Sequence, residues 1–447
     1  MRLLNSPDSR IIKILGRSQV DPGRDYRLCE YAYCASLGEH YLIKSTMTGG
    51  VYGLSAEEWA VVDPSVNSVI PGSVINSSGL SDLVSGCVLV YSTDDDYSRY
   101  RFAVSALKAM DRGRGVKTYT ILPTTACNAR CVYCYEQGMK VATMSEDTAD
   151  KVLEFILKTK SSEEFTLCWF GGEPLVASNI INRICTGLND KCVPFKSRII
   201  TNASLFTPEL LDTAVNVWHL KRAQVSVDGA KSDYEARKLF CSPSIHNYEY
   251  LLKTIGLMLE AGLEVTLRCN FDQGNIEGMY SFWEDVNKLY GSSDNLKIYS
   301  AMLFQAQKDE SCVDLYRRYL ELRAKAADEG MKFLKFNSSE CKMKTNFCMA
   351  DSEGRCIVIG PEGNLYNCEH LPGNTSCASI FDEDIKLGSD PRASLVADDK
   401  CRECPFLPEC TPFCKHGCPD WFEYCREFKC VETEEQIKRL SIYANCV

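Results

Sequence analysis

Long apolar runs are missing from this sequence of 447 residues. No stretch of about 18 apolar residues occurs, so we expect no membrane-spanning helix. The opening MRLLNSPDSR lacks the apolar core of an export signal. Positive charge is also scarce: the formal net charge is −10, which argues against a nucleic-acid partner because a phosphate backbone requires a basic face. We therefore expect a cytoplasmic protein that binds neither membranes nor nucleic acid.

Cysteine, in contrast, is abundant, with 25 residues. A secreted protein would use so many cysteines in disulfides. In a reducing cytoplasm, ligation of metals or clusters is the better explanation, together with some buried thiols. The length of the chain suits two or three domains.

Residues 1–110 form the first predicted domain. YLIKS, TMTGG and VYGLS, over 41–55, are typical of a strand, a turn and a strand. Ser55 opens a capping-box pattern before a short helix that contains Trp59. Further along we expect a loop at 67–80, a short strand at 87–92 and a linker at 111–115.

Residues 117–335 alternate regularly between strand-like and helix-like segments, which implies a parallel sheet, either curled or doubly wound. The active face of such a sheet lies at the carboxyl ends of its strands. CNARCVYC (127–134) follows the first strand and GGEP (171–174) follows the second. The six strand-like runs are 118–123, 165–170, 197–202, 223–228, 263–271 and 296–303.

Residues 336–447 lack this alternation and are rich in cysteine, proline and glycine. A region so short of apolar runs is expected to need its metals in order to fold.

The first cysteine motif has the spacing C-x3-C-x2-C, at Cys127, Cys131 and Cys134. About 0.08 chance occurrences are expected at this cysteine frequency. Three thiolates can hold three irons of a [4Fe–4S] cluster and leave the fourth iron open for a reactant. The alternatives are a zinc site or three core thiols.

The motif, its position after a strand and the aromatic Tyr133 resemble the radical S-adenosylmethionine (SAM) enzymes. In that family the open iron binds the amino and carboxylate groups of SAM, and the aromatic residue lies by the adenine. GGEP strengthens the resemblance, which implies that Gly171, Gly172 and Glu173 bind the SAM ammonium. It further implies SAM contacts from Ser226, Asp228, Arg237, Arg268 and Asn270, although these could be ordinary polar residues of a barrel. TNA at 201–203 departs from the usual TNG of the family.

The resemblance implies an α/β fold with a partial (β/α)6 TIM-like barrel, whose lateral opening suits a peptide substrate. In the family, one electron cleaves SAM to methionine and a 5′-deoxyadenosyl radical, which takes a hydrogen from an unactivated carbon. The protein supplies positioning and exclusion of water.

A second motif, C-x2-C-x5-C-x3-C, spans 401–414, and about 0.004 chance occurrences are expected. With the upstream G-x4-C at 363–368, it resembles the SPASM domain, which carries two auxiliary [4Fe–4S] clusters. The resemblance assigns the first cluster to Cys341, Cys348, Cys368 and Cys414, and the second to Cys401, Cys404, Cys410 and Cys430. Cys356, Cys418 and Cys425 compete for these places, and structural zinc is the alternative for the whole region.

Two further resemblances bear on the substrate. Glu369 stands where the related sulfatase-maturing enzymes have an Asp that acts as a base, so it is a candidate catalytic residue; an exposed surface carboxylate is the alternative. Residues 1–110 are similar to the RiPP recognition element, a winged-helix-like α+β module that binds the leader of a ribosomal precursor peptide by adding it to a sheet edge. A capping domain without peptide affinity is the alternative.

Together these features predict a radical SAM peptide maturase with three [4Fe–4S] clusters and SAM as cofactors. It would act on a precursor peptide, with reduced flavodoxin or ferredoxin as electron donor. The expected product is an intramolecular crosslink, a cysteine thioether of the ranthipeptide or sactipeptide type, with a carbon–carbon crosslink as alternative. Formylglycine formation by a sulfatase-maturing enzyme is the second hypothesis, and a non-catalytic iron–sulfur or zinc protein is the third.

Overall fold

The computed structural model describes most of the chain outside parts of its last third. The described residues are 1–17, 19–37, 40–111, 114–303, 306, 311–332, 343, 349, 352, 354–369, 376–388, 399–410 and 425–443. In this part of the chain, no helix is both long enough and apolar enough to cross a membrane.

The N-terminal region contains two small antiparallel sheets, ordered β1-β5-β4-β3 and β6-β2-β7. Its strands are β1 (Arg2–Asn5), β2 (Asp25–Leu28), β3 (Ala32–Leu37), β4 (His40–Ser45), β5 (Val51–Leu54), β6 (Ile70–Pro71) and β7 (Leu89–Tyr91). Its helices are α1 (Ser9–Leu15), α2 (Ala56–Val62), α3 (Gly72–Ser77), α4 (Ser81–Ser85) and α5 (Asp96–Asp111). The predicted hairpin is therefore β4 and β5, and the predicted strand at 87–92 contains β7.

Local chemistry explains some of these elements and tertiary packing explains others. The capping box at α2 is confirmed, because Ser55 and Glu58 bond reciprocally to each other's backbone N–H groups. The loop predicted at 67–80 is wrong, since β6 and α3 lie within it. Ile70 and Ile75 are buried in the N-terminal core, and this burial overrides the polar, glycine-containing composition of the segment.

The central region forms the predicted parallel sheet, in which β8 to β13 pair in chain order. The strands are β8 (Thr118–Thr124), β9 (Phe165–Gly171), β10 (Phe195–Thr201), β11 (Leu220–Val227), β12 (Glu264–Phe271) and β13 (Leu296–Met302). The helices are α6 (Glu146–Thr159), α7 (Ser178–Asp190), α8 (Pro208–Asn216), α9 (Lys231–Lys238), α10 (Tyr248–Glu260), α11 (Ile276–Tyr290) and α12 (Ser311–Asp328).

The main core lies between this sheet and the helices. On β11, Ala223, Val225 and Val227 are buried in that core. Alternate residues of a strand point to opposite faces, so Gln224 and Ser226 lie on the other, more polar face of the sheet. This alternation keeps polar side chains available on the face away from the helices.

Three strands from the C-terminal region extend the same sheet to nine strands. β14 (Cys356–Ile359) pairs in parallel with β8, and β15 (Asn364–Tyr366) and β16 (Ala378–Ser379) follow as antiparallel neighbours. The remaining helices are α13 (Asp399–Arg402) and α14 (Cys425–Tyr443). The C-terminal region is thus joined to the barrel by main-chain hydrogen bonds.

Candidate active site

The three-cysteine loop follows β8, at the carboxyl edge of the parallel sheet. The turn after β9 is bonded to the residues that lead into the cysteine loop. The Glu173 N–H donates to the Ala126 carbonyl at 2.9 Å, and the Gly172 N–H donates to the Thr124 carbonyl at 3.2 Å. The last turn of α9 holds the middle of the loop, since the Val132 N–H donates to the Arg237 carbonyl at 3.1 Å. Backbone contacts from two other elements thus fix the loop.

The three thiols lie close enough to influence one another. Burial raises the pKa of Cys127 to about 11, and the neighbouring Glu173, Cys131 and Cys134 contribute in the same direction. Burial also raises the pKa of Cys134. Ligation of iron by these thiols would therefore release protons. Among the described residues, no group of three or more His, Cys, Asp or Glu side chains is gathered around a single metal position.

The two glycines of GGEP are needed for close packing against the cysteine loop. A Cβ at Gly172 would lie 2.4 Å from the Ala126 carbonyl oxygen, and one at Gly171 would lie 2.4 Å from the Thr124 carbonyl oxygen. Gly171 also has a φ of +112°, which side-chain-bearing residues rarely adopt. A larger residue at either position would displace the loop that carries the thiols.

Glu173 is fully buried and firmly held. Its carboxylate accepts hydrogen bonds from the Leu175 N–H at 3.2 Å, the Thr201 hydroxyl at 2.7 Å and the Asn202 N–H at 2.8 Å. Burial raises its pKa, although these three donors oppose the shift. A buried carboxylate so close to Cys127 is suited to pair with a cation.

Ala203 stands where the family usually has glycine. It adopts a φ of 64°, the left-handed conformation that glycine favours, and its N–H donates to the Thr201 hydroxyl at 2.9 Å. The departure from TNG therefore leaves this turn intact and preserves the donors to Glu173.

A buried polar network lies on the other side of the cysteine loop. The Tyr133 hydroxyl donates to both Asp228 carboxylate oxygens, at 2.6 and 2.7 Å. Lys238 donates to Ser226 at 2.8 Å and to Tyr133 at 3.2 Å, and its ammonium lies 3.6 Å from Asp228. Asn270 reaches Asp228 at 3.4 Å. The structure thus gathers four of the predicted cofactor-binding residues in one place.

Lys238 is the residue of this network that the sequence did not indicate. It is 2% exposed at the end of α9, and Leu239 turns the chain at that point with a φ of 46°. Burial by itself would lower the pKa of Lys238, but Asp228, Tyr133 and Cys131 outweigh it and the pKa is raised. A lysine next to an arginine in YEARKLF has no sequence feature that separates it from a surface lysine.

Arg237 and Arg268 have different surroundings. Arg237 forms a two-point ion pair with Asp272, at 3.2 and 2.7 Å, and its guanidinium lies 5.6 Å from the centre of the Tyr133 ring. Arg268 lies beside Ser226 and Tyr299 in the strand register. Its buried Nε has no hydrogen-bond partner among the described residues, so it can still donate to a ligand.

Glu369 lies near side chains from three other parts of the barrel. Burial is the main cause of the raised pKa values of Tyr135, Cys168 and Tyr299, and the Glu369 carboxylate adds to each of them. These residues belong to the cysteine loop, β9 and β13. Glu369 itself is half-buried, so it is not a fully exposed surface carboxylate.

The predicted auxiliary-cluster cysteines fall partly within the described residues. Cys401, Cys404 and Cys410 lie on one segment, with the Cys404 N–H donating to the Cys401 carbonyl at 3.1 Å. Cys430 lies on α14, and the adjacent Lys429 is close enough to Cys410 and Glu409 for both to raise its pKa against the effect of burial. Cys341, Cys348, Cys414 and Cys418 lie outside the described residues.

Two cysteines of the first predicted auxiliary site are near the extended sheet. Cys368 is 7% exposed, just after β15. Cys356 begins β14, where it pairs with Thr118 of β8 and its N–H donates to the Ser352 hydroxyl at 3.0 Å. Cys356 is thus fixed by a strand pairing, whereas Cys368 follows the last paired strand residue.

Comparison with known proteins supports the identification of the central region. Residues 121–273 match the Radical SAM superfamily. The radical SAM cyclopropyl synthase TigE of Paramaledivibacter caminithermalis is 20% identical over 385 residues, which cover 76% of this chain and 78% of that protein. The AdoMet-dependent heme synthase of Methanosarcina barkeri is 30% identical over 112 residues, 25% of this chain and 30% of that protein.

The fold also resembles a solved structure. The structure of anSMEcpe with bound AdoMet and Kp18Cys peptide matches with a TM-score of 0.58 at 14% identity, over 74% of this chain and 100% of that chain. The site fits the cofactors that the superfamily implies, a [4Fe–4S] cluster and SAM, because it offers thiols on one loop beside a buried carboxylate and a buried ammonium. The chain therefore contains a radical SAM domain, and the protein is an enzyme.

Proposed function

We propose that this enzyme modifies a ribosomally made precursor peptide by closing an intramolecular crosslink, a thioether between a cysteine sulfur and a carbon of another residue. The observation that carries the proposal is the position of the three-cysteine loop, held between the GGEP turn and the buried Tyr133–Asp228–Lys238 network. The peptide bound in the structurally similar anSMEcpe supports a peptide as substrate.

In this proposal Cys127, Cys131 and Cys134 hold the catalytic cluster. Glu173, Ser226, Asp228, Arg268 and Asn270 orient SAM, together with the glycines of GGEP and Tyr133. The bound cluster and SAM would supply abstraction of a hydrogen atom from an unactivated carbon. Arg237, which is paired with Asp272, also contacts SAM through its buried Nε, which has no hydrogen-bond partner among the described residues.

The overall change replaces one C–H and one S–H bond of the peptide by one C–S bond, with loss of two hydrogen atoms. One hydrogen atom leaves with the adenosyl group of SAM. The remaining proton would pass to a base, for which Glu369 is the candidate. The remaining electron would need an acceptor, a role that an auxiliary cluster held by the C-terminal cysteines would supply. We assign the two auxiliary clusters to the cysteine sets that the SPASM resemblance implies.

The partners follow from the same proposal. Residues 1–110 bind the leader part of the precursor, and a reduced flavodoxin or ferredoxin supplies the electron that starts the reaction. The protein acts in the cytoplasm, where such donors and reduced thiols are present.

The test is anaerobic incubation with SAM, a reductant and the peptide encoded by the short open reading frame beside this gene. We expect loss of about two hydrogens per link, with fragmentation that locates the link between a cysteine and another residue. A carbon–carbon link would leave the cysteine thiol free for alkylation. Replacement of cysteine sulfur by an aldehyde oxygen would favour the formylglycine hypothesis, and an unmodified peptide would contradict both crosslinking proposals.

A further inference from the structure

An exposed arginine lies in the middle of the parallel sheet, on the face away from the helices. Phe195 and Ile199 of β10 are buried in the main core, and Arg198, which alternates with them, lies on the opposite face. Arg198 is exposed although β10 is an interior strand, paired with β9 on one side and β11 on the other. This face of the sheet is therefore open to solvent at Arg198.

Two other basic residues of this face have carboxylate partners, whereas Arg198 does not. Lys196 pairs with Glu164 at 2.9 Å, and Arg222, the register neighbour of Arg198 on β11, pairs with Glu264 at 2.9 Å. Within the described part of the chain, Arg198 forms no ion pair. A guanidinium without an anion, placed next to a second arginine, favours the binding of an anionic group.

The surroundings of Cys168 connect Arg198 to the candidate base. Cys168 is the register neighbour of Arg198 on β9. Burial raises the pKa of the Cys168 thiol, Arg198 opposes this rise through its charge and a hydrogen bond, and Glu369 adds to it. Arg198 and Glu369 therefore both lie close to Cys168, and no ion pair joins the two side chains. An anionic group bound to Arg198 would lie near the proposed base.

The position of Arg198 along β10 places it deeper in the barrel than the proposed SAM site. Arg198 precedes Thr201 by three residues, which is about 10 Å of strand. The Thr201 hydroxyl donates to Glu173 of the GGEP turn at 2.7 Å. A peptide group bound to Arg198 would therefore approach the proposed cofactor site from inside the barrel.

We propose that Arg198 binds a carboxylate of the precursor peptide and thereby selects the segment that is modified. This inference rests on the proposed function and names the chemistry that its substrate must carry. The planar guanidinium can donate two parallel hydrogen bonds to a carboxylate, which fixes the direction of the bound group as well as its position. The carboxylate belongs either to an Asp or Glu side chain or to the C-terminus of the peptide, and the test separates these two sources.

The test combines peptide variants with enzyme variants in the full-length, cluster-loaded protein. The peptide of the neighbouring open reading frame is made with each Asp changed to Asn and each Glu to Gln in turn, and once with an amidated C-terminus. With the wild-type enzyme, we expect one of these changes to lower kcat/KM for peptide modification at least about tenfold. Arg198→Gln should lower kcat/KM for the unchanged peptide by a similar factor.

The two changes should be coupled, because they remove the same interaction. In Arg198→Gln the critical peptide change should have little further effect, and Arg198→Lys, which keeps the charge without the planar fork, should be intermediate. Arg222→Gln is the matched control, since it removes an arginine from the same face that already has Glu264 as its partner, and it should leave the preference for acid over amide unchanged. The peptide series with the wild-type enzyme keeps the inference testable even if Arg198→Gln does not fold.

Several results would overturn the inference. Modification that is indifferent to every carboxylate of the peptide, or additive effects of the enzyme and peptide changes, would do so while leaving the proposed function in place, because the peptide is still crosslinked. Loss of peptide-independent 5′-deoxyadenosine formation in Arg198→Gln, with iron content intact, would instead place the arginine at the cofactor. A wild-type protein that does not modify the unchanged peptide would refute the proposed function, and this inference with it.

Discussion

At the scale of single residues, the buried ion pair of Lys238 and Asp228 lies at the centre of the polar network beside the cysteine loop. Both side chains are almost completely buried, at 3% and 0% exposure. Replacing Lys238 by Met leaves a buried carboxylate without its cation, a change that typically costs about 3–5 kcal/mol. We expect Lys238→Met to lower the melting temperature strongly, as measured by scanning fluorimetry under anaerobic conditions.

The double variant Lys238→Met/Asp228→Asn is the control for this prediction. It removes both charges, so it should be more stable than the single variant. Because the pKa of Lys238 is raised in the folded protein, its contribution is fully present below the ordinary value of 10.5 and is lost only as pH rises above it. If the losses of stability in Lys238→Met and Asp228→Asn add up to the loss in the double variant, the two groups are not coupled.

The role of Glu369 is open to a similarly direct test. If its carboxylate takes the proton of the substrate, Glu369→Gln should slow peptide modification by about 10²-fold while cleavage of SAM continues. The measurement is the ratio of modified peptide to 5′-deoxyadenosine. Glu362→Gln serves as control, since Glu362 is an exposed carboxylate on the preceding turn, paired with Lys140 at 2.8 Å. Equal effects of the two substitutions would argue against a catalytic Glu369.

The sequence predicted part of this residue-level picture. Cys127, Cys131 and Cys134 are close in the chain, so their spacing alone indicated a common site. Lys238 was missed because its partners Ser226 and Asp228 come from another element, and only the turn at Leu239 brings them together. Short motifs are visible in a sequence, whereas pairs made by tertiary packing are not.

At the scale of elements, the turn after β9 sets the position of the cysteine loop. Gly172→Ala would bring a Cβ within 2.4 Å of the Ala126 carbonyl oxygen and 2.6 Å of the Thr125 carbonyl oxygen. Because both contacts are backbone, the loop itself must move, and displacement by about 1 Å is enough to slow a reaction about 10²-fold. We expect a loss of this size in 5′-deoxyadenosine formation.

Gly388→Ala is the matched control, because a Cβ there meets nothing within 4 Å. Iron analysis of both variants distinguishes loss of the cluster from misplacement of SAM. Wild-type activity in Gly172→Ala would mean that the loop tolerates the shift, and the close packing at GGEP would then have no catalytic consequence.

Helices and strands that a local sequence pattern indicates were predicted from the sequence. Pairings between segments that are distant in the chain were not. Ser145, Thr207 and Asn247 are residue types that favour the N-cap position, and each caps the helix that follows it by accepting a backbone hydrogen bond. The pairing of β14 with β8 joins segments more than 230 residues apart, and no local pattern announces it. The six barrel strands were visible because each is a short apolar run between helices.

At the scale of the whole molecule, the N-terminal region is anchored to the C-terminal cysteine segment. Lys44 of β4 is 1% exposed and donates to Glu409 at 2.7 Å and to Gln436 at 3.1 Å. The Tyr31 hydroxyl donates to the Arg402 carbonyl at 3.0 Å. Leu407 packs in the same apolar cluster as Tyr31. Residues 1–110 therefore support the segment that carries Cys401, Cys404 and Cys410.

This interface predicts that removal of residues 1–110 affects more than peptide binding. The deletion would expose Leu407 and remove the ion-pair partner of Glu409, so the segment proposed to carry the second auxiliary cluster should lose its fixed shape. If the intact protein holds the three clusters proposed above, iron should fall from about twelve atoms to about eight per chain. A deletion variant that keeps all its iron would mean that the two regions fold independently.

The point variant Lys44→Met tests the same interface in the full-length chain. It removes the direct ion-pair partner of the buried Glu409, which should lower the melting temperature and the iron content together. Lys13→Met is the control, because Lys13 lies exposed on α1 and its loss changes the net charge equally. If the Lys44 variant keeps its iron and loses only peptide affinity, the ion pair serves peptide binding rather than the cluster. Joint loss of iron and stability, absent from the Lys13 variant, would instead identify the N-terminal sheet as a support for the second auxiliary cluster.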